Sequence, residues 1–98
     1  MADIVPLHKP DDYKRVMIRI KTLWREGSFR ILNHAAERMQ ERNKDTTDIE
    51  NCIRYGRIIE HRKPDVNWRY TIIGRAVDGE SMKIAVEING KLIIVTVI

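Results

Sequence analysis

The sequence predicts an α+β domain of two layers, with N-terminal helices packed on one face of a mainly antiparallel sheet. Three observations carry this. As far as Gly56 the apolar residues recur at helical intervals, from Arg57 onward they alternate, and Asp78-Gly79 and Asn89-Gly90 supply hairpin turns between the alternating runs. Helices first and strands afterwards, joined by short turns, is the segregated α+β order. The 98 residues form a single domain, 1–98, with residues 1–10 as an extended N-terminal segment. A chain of this length buries roughly 60–65% of its extended surface, enough for one core but not for separate catalytic and substrate domains.

Each element has its own signal. Asp11-Asp12 open a helix whose stripe is Tyr13, Val16, Met17, Ile20, Leu23 and Trp24, and Gly27 ends it. Ser28–Leu32 is a short strand with Phe29 and Ile31 on one face. Asn33 is then expected to cap a second helix that ends at Asn43, a residue that tolerates left-handed backbone. That helix has a thin apolar face of Ala35, Ala36 and Met39, while His34, Arg38 and Arg42 fall at successive i, i+4 positions as a basic stripe. Thr47-x-x-Glu50 is expected to form a capping box for a third helix with Ile49, Cys52 and Ile53 inward and Gly56 as its stop. Arg57–Lys63 and Trp68–Val77 are strands around a Pro64-Asp65 turn, and Met82–Ile88 alternates strictly. Lys91–Ile98 is apolar on both faces and is expected in the sheet interior.

Two-residue loops at both hairpins would pair Val86 with Ile93 and Thr71, and Ile84 with Val95 and Ile73. The helices would cover that face. The opposite face would carry Tyr70, Ile72, Lys83, Ala85, Glu87, Ile94 and Thr96 as a binding surface. A slip of one residue exchanges the two faces.

Composition narrows the function classes. A hydrophobic share of 43% with 33% charged residues suits a folded domain, not a disordered chain. The single Cys52 excludes an internal disulfide and a cysteine-built zinc site, and the three scattered histidines suggest no metal and no cofactor. Residues 1–12 read as no signal peptide and no run is apolar and long enough to span a membrane, so a cytoplasmic location is expected. The net charge is +4, with residues 13–43 locally at +5, which points to an anionic partner.

Nucleotide-binding glycine loops and serine-hydrolase elbows are missing from the sequence. The titratable and charged groups suit cleavage of RNA without a metal. That chemistry needs a base for the 2′-OH, an acid for the leaving 5′-oxygen and cations on the phosphorane. Tyr70, His61 and His34 are the acid–base candidates, and Arg38, Arg42, Lys63, Arg69, Arg75 and Lys83 the candidate phosphate ligands.

The block His34-Ala35-x-x-Arg38-Met39-x-Glu41-Arg42, the capped helix ending in Gly56 and the terminal strand Ile93–Val97 resemble a small bacterial family of unassigned function grouped with the RelE/ParE toxin superfamily. Asn43 stands where that family usually has Gly. The element order, with Trp68-Arg69-Tyr70 and Met82–Val86, is also similar to the MqsR mRNA interferases. That resemblance implies a RelE/ParE-like fold and the toxin of a type II toxin–antitoxin pair. Its activity would be that of an endoribonuclease, with RNA (ribosome-bound mRNA included) and a cognate antitoxin as partners. It places Tyr70 on an active-region tyrosine and His61 or Lys63 near a catalytic lysine, whereas the His34/Arg38/Arg42 stripe has no counterpart there. The alternative is a non-catalytic RelE-fold protein that binds nucleic acid or a partner protein, since one fold hosts several activities. A plain interaction module with a solvated charged helix is the third reading.

Overall fold

A computed structural model describes residues 10–98. Apart from Pro10, the extended segment expected over residues 1–10 lies outside them. The order is α1 (Pro10–Arg25), β1 (Phe29–Ile31), α2 (Asn33–Glu41), α3 (Thr46–Tyr55), β2 (Arg57–Arg62), β3 (Arg69–Arg75), β4 (Ser81–Asn89) and β5 (Lys91–Val97). The strands form one sheet in the order β1-β5-β4-β3-β2, antiparallel except that β1 runs parallel to β5. The helices cover one face, giving the expected α+β architecture. β5 lies inside the sheet as its apolar pattern demands.

Local chemistry accounts for the helix ends. α1 stops where Gly27, at φ 75°, lets its own N–H reach Trp24 O and that of Ser28 reach Leu23 O. α2 stops the same way: Asn43 takes φ 57°, with Asn43 N–H on Gln40 O and Lys44 N–H on Met39 O. The starts differ from expectation. α2 is entered from an extended Leu32 without a side-chain cap, and Asn33 is already helical. The capping box of α3 sits two residues earlier than predicted, because Asp45 accepts from Thr47 and Asp48 N–H while Asp48 accepts from Asp45 N–H. A carboxylate accepts at a cap at least as well as a hydroxyl, and Asp45 precedes Thr47 in the chain.

The core holds Met17, Ile20 and Leu23 of α1, Ala35 and Met39 of α2, and Ile49, Cys52 and Ile53 of α3, over Ile72, Ile84, Val86, Leu92 and Ile94 of the sheet. Ala36 is exposed, so the apolar face of α2 is thinner still. α3 lies so close to the sheet that a Cβ on Gly74 would stand 2.7 Å from Cys52 O, and one on Gly56 2.3 Å from the same oxygen.

The sheet register corrects the expected faces. β3 and β4 are joined through Ala76–Glu80, closed by Ala76 N–H on Glu80 O, not by a two-residue turn. Asn89 pairs with Lys91 around Gly90 alone. Both hairpins thus shift by one residue, pairing Tyr70 with Val86, Ile72 with Ile84, and Val86 with Ile94. Tyr70, Ile72 and Ile94 therefore face the helices, and Arg69, Thr71, Ile73 and Arg75 take the open face. Among the described residues no helix is long and apolar enough to cross a membrane.

Candidate active site at the sheet edge

Among the described residues β2 is an edge strand, paired only with β3. Its register shift between Ile58 and Glu60 bends it, and its last residues meet the first of β3, His61 opposite Tyr70 and Arg62 opposite Arg69. The first turn of α1 reaches the same corner. There the Tyr13 hydroxyl lies 2.5 Å from His61 Nδ1, with the rings edge to face at 5.6 Å. Trp68 closes the other side, its ring 5.2 Å from the imidazole, and the Lys63 ammonium stands 5.8 Å from the Trp68 ring.

Burial, then the charge of Glu60, raises the Tyr13 hydroxyl above its ordinary value. Tyr70, only 6% exposed, is raised first by burial and then by Tyr13 and Asp12. Both phenols stay protonated at neutral pH. A neutral phenol can donate to Nδ1 or accept from it, so Nε2 of His61 can carry or lack its proton without breaking the pair. Half-buried His61 is thereby held between a phenol and an indole, and the Lys63 ammonium stands against that indole.

The predicted site residues divide into three groups. His61, Tyr70 and Lys63 share this corner. Arg69, Arg75 and Lys83 lie on the opposite, open face. There Arg69 pairs with Glu87 at 2.7 Å, Arg75 closes its own loop on Gly79 O at 2.7 Å, and Lys83 is exposed.

The stripe of α2 forms the third group. His34 is exposed, Arg38 Nε donates to Val97 O at 3.2 Å, and Arg42 Nη1 donates to Ile98 O. Ile98 N–H bonds Lys83 on β4, so the carbonyl of Val97 points the other way, past the end of the three-residue β1. The two arginines thus hold the uncovered end of β5. That end is three strands from β2, roughly 14 Å across the sheet at about 4.8 Å per strand. The structure does not bring the stripe to the Tyr70 corner.

Tyr13 packs against the core, as its place on the apolar stripe predicts, but its contact with His61 is not foreshadowed in the sequence. The only mark on Tyr13 there is being the one titratable member of an otherwise apolar stripe. Cys52 is buried and its thiol is pushed up to about 11 by burial, so it is a packing residue. Among the described residues no group of three or more His, Cys, Asp or Glu side chains is placed to hold a metal ion.

One family model, described as a domain of unknown function (DUF4258), matches residues 31–98. The chain belongs to this family. The DUF4258 match takes in α2, α3 and β2 to β5, hence His34, Arg38, His61 and Tyr70, whereas α1 and Tyr13 precede it. No curated protein and no solved structure matches the chain.

Proposed function

We propose that the protein is a small cytoplasmic ribonuclease of the RelE/ParE type, the toxin-like member of a toxin–antitoxin pair, that cleaves RNA without a metal. The observation that carries this reading is the His61 corner, an imidazole oriented by a phenol at 2.5 Å, with an indole beside it and an ammonium against that indole. In this reading His61 Nε2 removes the proton from a ribose 2′-OH. The oxygen attacks the adjacent phosphorus and the bond to the 5′-oxygen breaks. The products are a 2′,3′-cyclic phosphate and a 5′-hydroxyl, whose proton comes from the Lys63 ammonium. Until it gives up that proton, Lys63 offsets charge on the phosphorane. Tyr13 orients the imidazole, and the buried Tyr70 backs it from the neighbouring strand.

Two observations favour a second reading, a non-catalytic RelE-fold protein that binds nucleic acid or a partner protein. Tyr70 is almost wholly buried, and Arg38 and Arg42 are engaged by β5. Expression in a bacterial host separates the two. Growth arrest with cut transcripts, relieved by His61→Ala in a folded and equally abundant chain, supports the nuclease. Arrest with intact RNA supports the binding protein.

A further inference from the structure

Five of the chain's 18 lysines and arginines line one side of α1. Two clefts of about 540 and 310 Å3 run along α1, one against the start of β2 and one against α3, and both are lined by Lys21. Their rims hold Lys14, Lys21, Arg25, Arg54 and Arg57 against one carboxylate, Glu50, and the carboxylate accepts from Trp24 Nε1 at 3.3 Å. Five cations against one carboxylate is an excess equal to the +4 of the whole chain. Among the described residues none of the five has an ion-pair partner. Like charges left unpaired side by side repel, and a fold gains nothing from them unless a polyanion neutralises them.

The groove also has an aromatic plane beyond its rim and a direction. Tyr55, 71% exposed, lines the neighbouring cleft with Asn51 and Arg75, and Arg54 on the groove's rim holds its guanidinium 5.9 Å from that ring. Lys14 and Lys21 are about 10 Å apart along α1, and Arg25 follows about 6 Å further on. At its other end the groove is lined by Tyr13, the partner of His61.

We propose that this groove is the track of a single RNA strand, its phosphates on the five cations and a base on Tyr55, leading to the His61 corner. A cationic groove with an exposed aromatic ring is how single strands are held without regard to sequence. An acidic protein segment would use the cations but neither the ring nor the continuity with His61. The choice of RNA rests on the nuclease reading; the groove itself rests on its charge.

The test is fluorescence anisotropy of the full chain with a labelled 2′-O-methyl oligouridylate, which lacks the hydroxyl that cleavage requires. Affinity should fall linearly on a log–log plot as salt rises. The exposed double variants Lys14→Glu/Lys21→Glu and Arg54→Glu/Arg57→Glu, with unchanged circular dichroism, should each bind about tenfold more weakly and lose about 1.4 of the slope. Affinity unchanged from the parent chain in both variants overturns the track. So does tighter binding of polyglutamate than of the oligonucleotide, which would assign the groove to an acidic protein. Groove-dependent binding beside failure to cut unmodified RNA would leave the track standing and remove the nuclease. Cleavage without groove dependence would remove the track alone.

Discussion

His61 and Tyr13 stand 48 positions apart and meet at 2.5 Å, and the chemistry proposed for this chain hangs on that pair. Removing the phenol should loosen the imidazole without removing it. Tyr13→Phe is expected to lower RNA cleavage about tenfold and to move the pH–rate profile, while His61→Ala removes the activity, a loss of about a hundredfold or more. The arginines of α2 should behave differently. Arg38→Ala strips Val97 O of its donor and should cost about 1 kcal/mol in urea unfolding while leaving cleavage unchanged. Cys52, with its thiol raised to about 11, should resist alkylation at neutral pH until denaturant exposes it. Of these residues, His61, Arg38 and Cys52 were legible in the sequence as titratable, basic or buried. The His61–Tyr13 contact was not, because a tyrosine on an apolar stripe reads as core and nothing in its spacing points to β2.

The elements were legible where one signal acted alone. The stripe of α1, the stop at Asn43 and the interior position of β5 each follow from local sequence. The start of α3 did not, because Asp45 and Thr47 compete for the same cap and the carboxylate wins. That cap has a pH signature. Asp48 is lowered from its ordinary 3.8, first by the N–H of Val77 and then by that of Asp45. A carboxyl whose folded pKa is depressed stabilises the fold fully above 3.8, and that contribution is lost as pH falls through the lower, folded value. Urea midpoints between neutral and acid pH should therefore drop below 3.8 in the parent chain and drop less in Asp48→Asn. Glycine requirements are sharper. Gly56→Ala and Gly74→Ala would press a methyl onto the Cys52 carbonyl, and each should destabilise by about 2 kcal/mol or more in thermal melts. The sequence marked Gly56 as a helix stop, but its φ of −89° is ordinary, so close packing of α3 on the sheet is what demands glycine there.

At the scale of the molecule, the α+β order, the antiparallel meander and the single early strand were all readable, but which face looks out was not. Each hairpin departs by one residue from the two-residue geometry, and period-two alternation turns that step into an exchange of faces. Burial explains the choice. The observed register puts Ile72, Leu92 and Ile94 under the helices and leaves Arg69, paired with Glu87, and Arg75 on the open face, whereas the other would turn both arginines into the core. The same exchange carries Tyr70 inward, so the proposed chemistry falls to His61 on the sheet edge. Charge asymmetry was visible as the basic stretch 13–43, yet the fold divides that stretch between the α1 groove and the clasp on β5. The most direct test of the account is incubation of the purified chain with a short unmodified RNA in excess chelator, with product ends identified by mass. Products ending in a 2′,3′-cyclic phosphate, formed by the parent chain and not by folded His61→Ala, are the predicted result. Intact RNA, or equal cleavage by His61→Ala, would contradict it.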